Sequence, residues 1–179
     1  MKLVMIAVAL VLAAAAPPAW ADRVLLKEAD APALLGGKTA TRRTLELTDD
    51  QLAQLSKALG RKIAAKSYPY LDVRDERGAP LGEVFLLDVI GQSQPITFAV
   101  AVGADGALRD VAVMVYRESH GEEISDKRFR RQFAGKRLAD PIALDKDIDA
   151  ISGATISSRA ATFAARKALQ LAALVRNAT

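Results

Sequence analysis

The sequence predicts an α+β fold: one domain with an antiparallel sheet of about four or more strands, helices packed on it, and a long C-terminal helix. Three observations carry this expectation. Residues 67–116 fall into short extended runs rich in β-formers, separated by turn residues. Residues 157–176 form an alanine-rich run with apolar positions at helical spacing. Between and before them lie shorter segments with helix start and stop signals, and no internal repeat or linker divides the chain.

The first 21 residues stand apart. Lys2 supplies a positive start, residues 3–16 are unbroken apolar, and Ala19-Trp20-Ala21 follows Pro17-Pro18 as a small-x-small cleavage site. This pattern predicts a secretory signal peptide cut before Asp22, leaving a domain over 22–179 and a periplasmic location. An uncleaved N-terminal anchor is the alternative, against which the apolar run is short.

The rest is taken in order. Residues 22–38 are mixed, Gly36-Gly37 marks a loop, and Thr41 to Leu47 suits a short extended piece. Thr48 reads as an N-cap, with Asp49 and Asp50 in the first turn, Leu52, Leu55 and Leu59 at helical spacing, and Gly60 as the stop; this predicts a helix over 49–59. Four strands follow. Tyr68, Tyr70 and Val73 lie in the first, 83–90 form the second, 96–102 the third and 108–116 the fourth, with Asp105-Gly106 favouring a hairpin. A meander with helices on one face is the simplest arrangement. Asp126 can cap a short helix reaching Phe133, Gly135 ends it, 138–147 is a loop, and the last helix begins near Ser157.

Composition removes several functions. Lys and Arg number 25 against 21 Asp and Glu, a net charge of +4, too mild to argue for nucleic acid. There is no cysteine, which excludes disulfides, c-type haem attachment, cysteine-ligated iron–sulfur clusters and a lipid-anchoring cysteine. A single histidine argues against a zinc site, and no metal ligands are assigned. No Gly-x-Gly-x-x-Gly follows a strand, so no nicotinamide fingerprint is present. A redox role therefore requires a borrowed organic cofactor.

The candidate site is Asp149-Ala150-Ile151-Ser152-Gly153-Ala154-Thr155, just before the last helix. Small residues and a hydroxyl sit where unpaired backbone N–H groups and the helix dipole favour a phosphate. The stretch resembles the attachment motif of the FMN-binding domain family, Asp-x-x-(Ser/Thr)-Gly-Ala-(Thr/Ser). The resemblance extends from about Asp49 onward and includes the strand series, the loop from Tyr116 to Gly121 and the helix ending Gln132-Phe133-Ala134-Gly135-Lys136. It implies FMN joined through its phosphate to the Thr155 hydroxyl, installed by a dedicated flavin transferase that takes the FMN moiety from FAD. Relatives include periplasm-facing subunits of sodium-pumping NADH:quinone reductases and Rnf complexes, and NosR-type regulators.

On that resemblance Gly153 and Ala154 leave room for the phosphate and the transferase, and Ser152, Ser157 and Ser158 are placed to donate hydrogen bonds to it. Asp149 would repel an anion, and the resemblance assigns it to transferase recognition or to shaping the loop. Glu118, His120 and Gly121 are expected beside the flavin ring, where a charge or donor tunes its potential, with a surface loop bearing a solvated histidine as the alternative. Pump subunits carry a Glu-Thr-Pro-Gly-type loop there; Glu118 and Gly121 remain, and the Pro does not. Lys127, Arg128, Arg130, Arg131, Lys136 and Arg137 read first as the wet face of a helix, and second as a docking patch for an acidic redox partner.

The leading expectation is an electron carrier with no catalytic residue of its own, working with a membrane-bound or periplasmic redox partner through which it can associate with the membrane. A flavin-dependent reductase of a small acceptor, with His120 as its acid, and a non-redox sensor of flavin loading are the alternatives.

Overall fold

The computed structural model describes residues 22–178. The signal-peptide expectation for residues 1–21 lies outside them. Four strands form the expected meander: β3 (Ser67–Arg74), β4 (Pro80–Ile90), β5 (Pro95–Gly103) and β6 (Leu108–Tyr116). Two more extend it at the edges, β2 (Ala40–Glu46) on β3 and β1 (Arg23–Val24) on β6. The order is β1-β6-β5-β4-β3-β2, with every neighbouring pair antiparallel. β1 is too short to show a period, and β2 is an exposed edge whose Ala-Thr-Arg-Arg-Thr-Leu-Glu carries no alternation.

Helix α1 (Asp49–Leu59) has the expected ends. The Gln51 N–H donates to Thr48 Oγ1 at 3.2 Å, and the Thr48 N–H donates to Gln51 Oε1 at 3.0 Å, a reciprocal cap that satisfies two orphan amides. Gly60 closes the helix in the left-handed conformation at φ 63°. Asp126 caps α2 (Lys127–Arg130) by accepting from the Arg128 N–H at 2.6 Å, and a 3-10 turn (Arg131–Phe133) continues it. Helix α3 (Thr155–Asn177) runs along β4 and β5. Its Ala164, Ala165, Ala168 and Ala172 have no exposed surface, and their small side chains let the helix lie close on the sheet.

The sheet is covered on both faces, which corrects the expectation of helices on one face only. The larger core joins α1 and α3 to Phe85, Phe98, Val100, Val111 and Val113. A smaller core on the other face gathers Leu71, Val84, Ala99, Ala101, Ala112 and Met114 around Ala31. A 3-10 segment (Glu28–Leu35) packs there against β4, β5 and β6. The physical reason lies in the central strands, which are apolar at consecutive positions and so need a second cover.

Candidate functional site

The stretch 149–154 enters α3 as a loop pinned from outside. Gln132 grips Asp149 through the backbone, with the Asp149 N–H donating to Gln132 Oε1 at 2.7 Å and Gln132 Nε2 donating to the Asp149 carbonyl at 3.2 Å. The Asp149 side chain itself is exposed. The Ala154 N–H closes a turn onto the Ile151 carbonyl at 2.9 Å. Gly153 sits in that turn at φ +80°, a conformation that glycine adopts without cost, and the space where a Cβ would stand is open.

Helix α3 begins at Thr155, two residues before the expected Ser157, and its N-cap is Ala154, whose methyl cannot cap. The Ser158 N–H donates to the Ala154 carbonyl at 2.8 Å. The N–H groups of Thr155, Ile156 and Ser157 accordingly have no protein acceptor among the described residues. Thr155 and Ser152 are exposed, as is Ile156 beside them. A hydroxyl thus stands in solvent at a helix start whose positive end is uncapped, where a phosphate charge is favoured.

Ser157 and Ser158 are placed differently from the sequence expectation. Both are buried. Ser157 Oγ shares a hydrogen bond of 2.8 Å with Tyr116 Oη, and Ser158 Oγ accepts from the Ile151 N–H at 3.4 Å. They shape the helix start from within. The loop 118–121 is brought to this place by the same contacts. Tyr116 Oη donates to the His120 carbonyl, and a Cβ on Gly121 would fall 2.5 Å from Ser157 Oγ. Burial pushes the Tyr116 phenol up, so it keeps the proton it donates. The His120 ring is exposed and meets Ser119 Oγ at 3.1 Å.

Glu118 is buried, and its carboxylate faces away into the turn before β5. It accepts from the Ser93 N–H at 2.6 Å, the Gln94 N–H at 2.9 Å and Ser93 Oγ at 3.0 Å. Burial opposes its charge, but the donors of Gln94 and Ser93 outweigh that and hold the carboxyl below the usual range. A folded value below the unfolded one means that this group adds stability above its unfolded pKa and loses it as pH falls through the folded one. Thermal melts of wild type and Glu118→Gln should therefore differ most near neutral pH and converge in acid. A gap that stays constant down to pH about 3 would rule out this origin.

Beside the motif lies a cleft of about 440 Å³, walled by Glu123, Arg128, Phe129 and Gln132 on one side and by Asp149, Ala150 and Ile151 on the other. Its size and mixed lining suit a ring system. Half of the basic cluster is paired: Arg130 with Asp110, Lys136 with Asp147 and Arg137 with Asp105. Lys127, Arg128 and Arg131 have no carboxylate partner among the described residues, and Arg128 faces the cleft. Sequence reasoning gave Gln132 no role of its own, and gave Tyr116 only a place at the end of a strand and the start of the 116–121 loop. Gln132 stood within a quoted stretch, and only its contact with a distant backbone reveals its use.

The family model described as the FMN-binding domain matches residues 91–170. This stretch belongs to the FMN-binding domain family. It runs from the turn after β4 through β5, β6, the 117–121 loop, α2 and the Asp149–Thr155 motif into α3. No curated protein matches the chain. Among solved structures, the crystal structure of Shewanella oneidensis NqrC is similar with a TM-score of 0.53 and 18% identity, covering 72% of this chain and 77% of that one. At that identity the likeness is one of fold. The FMN-binding domain supports FMN as the ligand, and the open space at Gly153, the free amides of α3 and the adjoining cleft all fit a phosphate-bearing ring compound.

Proposed function

We propose that the protein is an electron-transfer flavoprotein that carries FMN as a phosphoester on Thr155. The observation that carries this reading is the exposed Thr155 hydroxyl at the uncapped start of α3, within an FMN-binding domain. FMN would supply one- and two-electron chemistry. The chain's own residues then have distinct tasks. Thr155 Oγ1 is the attachment atom, receiving the FMN moiety of FAD from a flavin transferase with release of the AMP part. The amides of Thr155, Ile156 and Ser157 neutralise the phosphate charge that remains. Gly153 keeps the approach open, and Asp149, held through its backbone by Gln132, is offered to the transferase. Phe129, Ile151 and Arg128 in the cleft would seat the ring and shield it from water.

The reading of residues 1–21 as a secretory signal supports work in the periplasm, where a covalent link prevents loss of a cofactor that cannot be replenished from the cytoplasm. The fold shared with NqrC supports a redox partner in a membrane complex, reached by docking. The test is intact mass after co-production with a flavin transferase, for wild type and Thr155→Val. The wild type should gain the mass of one FMN moiety and keep flavin fluorescence through denaturation, and the variant should do neither. An unmodified wild type, or a variant that retains bound flavin on denaturation, refutes the attachment.

A further inference from the structure

The loop from Arg117 to Gly121 is held more firmly than a surface loop of its exposure requires. Arg23 Nη2 donates to the Glu118 carbonyl at 3.0 Å, and Arg23 Nε pairs with Glu122 at 2.7 Å. The Glu118 carboxylate is fixed in the 93–94 turn. Tyr116 Oη donates to the His120 carbonyl and meets Ser157 Oγ. Gly121, at φ +96°, lies on Ser157 and the Tyr116 hydroxyl so closely that a Cβ would stand 2.5 and 2.7 Å from their oxygens. What remains exposed is the tip, Ser119 and His120, and the N–H groups of His120 and Gly121 have no acceptor among the described residues.

A buried tyrosine normally finds some partner for its hydroxyl. Here the two partners are informative. One belongs to the loop, and the other belongs to the first turn of the helix that bears Thr155, 41 residues away in the chain. Tyr116 has no exposed surface and ends the strand from which the loop departs, so its ring is fixed in the core while its hydroxyl bridges the two. Arg23, above the ring at 5.2 Å, closes the other side.

We infer that Tyr116 is a positioning residue: its hydroxyl latches the 118–121 loop to the first turn of α3, and thereby fixes the His120 and Gly121 amides as donors toward a flavin carried on Thr155. The inference rests on the proposed attachment at Thr155. The latch acts on the cofactor's surroundings without touching the attachment atom, so it sets potential and spectrum rather than loading.

Tyr116→Phe keeps the ring in the core and removes only the hydroxyl. In full-length protein bearing FMN, the variant should load Thr155 as wild type does by intact mass. Its midpoint potential and visible absorption should shift, and amide exchange at residues 120–124 should rise on the order of tenfold. Ser157→Ala, which removes one of the two partners, should move the same readouts in the same direction by less. A merely structural hydroxyl would lower the melting temperature and leave potential and spectrum unchanged. Either an unchanged potential and spectrum or unaltered amide exchange in a loaded Tyr116→Phe overturns the latch while the attachment stands. A wild type without FMN on Thr155 overturns the attachment and the latch with it.

Discussion

Gly82→Ala is expected to cost the protein about 3 kcal/mol or more of its stability, although it lies outside the candidate site. Gly82 in β4 pairs with Gly103 in β5. Its φ is +139°, and a Cβ built there would stand 2.1 Å from the Val102 carbonyl oxygen, 2.8 Å from Gly103 Cα and 2.9 Å from Gly103 C. All three neighbours are backbone, so no side chain can swing aside. The strands would have to part or the residue leave a conformation that only glycine adopts readily. For a domain of this size the loss corresponds to a fall in melting temperature of about 6–12 °C. Gly78→Ala is the control. It also has positive φ, at +83°, but nothing lies within 4 Å of the added methyl. If Gly82→Ala melts no lower than Gly78→Ala, the close strand approach is not what requires glycine there. The candidate site should be spared in the folded fraction, because Gly82 lies near the start of β4 and the 118–121 loop adjoins its other end.

The contrast between these two glycines shows what a sequence conceals. Both stand in or near turns and look alike as letters; only the distance to another strand's backbone separates them. Local signals were legible wherever the cause was local. Thr48 and Gly60 bounded α1 because capping is decided by residues within a turn of the helix end, and the structure adds Gln51 as the reciprocal partner of Thr48. Asp105-Gly106 marked the hairpin for the same reason, with Asp105 Oδ1 accepting from the Ala107 N–H at 3.1 Å. Thr155 stood out because small residues and a hydroxyl cluster beside a helix start.

Long-range causes were not legible. β1 exists because two residues pair with the end of β6, and nothing in Arg23-Val24 announces a strand. The cover of the second sheet face depends on which alternate residues of β4–β6 face away from α3. Ser157 and Ser158 looked like phosphate donors by proximity in sequence, but a helix turns its residues by about 100° each, and these two face the core. Lys167 is a further case. It lies on the buried side of α3 with its ammonium 4.6 Å from the Tyr68 ring centroid, and burial, aided by Arg61, pushes its pKa down. Its long stem and the aromatic ring below make the inward position tolerable.

The second large effect is expected at Phe133, where stability and the candidate site meet. Phe133 has no exposed surface and packs edge-on against Phe129, with ring centroids 5.5 Å apart. The segment it anchors is tied to the start of β6 by two backbone bonds of 2.8 Å: the Gly135 N–H donates to the Leu108 carbonyl, and the Leu108 N–H donates to the Lys136 carbonyl. Phe133→Ala should lose about 3–5 kcal/mol, from lost burial and the cavity left behind. That is a fall of about 6–20 °C in melting temperature. The same segment carries Phe129 and Gln132, which wall the cleft and hold Asp149. Loosening it should therefore reach the motif. Well below its melting temperature, the folded variant should take up FMN more slowly from a fixed amount of transferase, although Thr155 and Asp149 are both intact. Gln132→Leu separates the two consequences, since it removes the grip on Asp149 at the surface and leaves the aromatic pair in place. Slow loading in both variants assigns the effect to the presentation of Asp149. Slow loading in Phe133→Ala alone assigns it to the shape of the cleft, and normal loading in both would mean that the transferase reads the motif without regard to how Gln132 holds it.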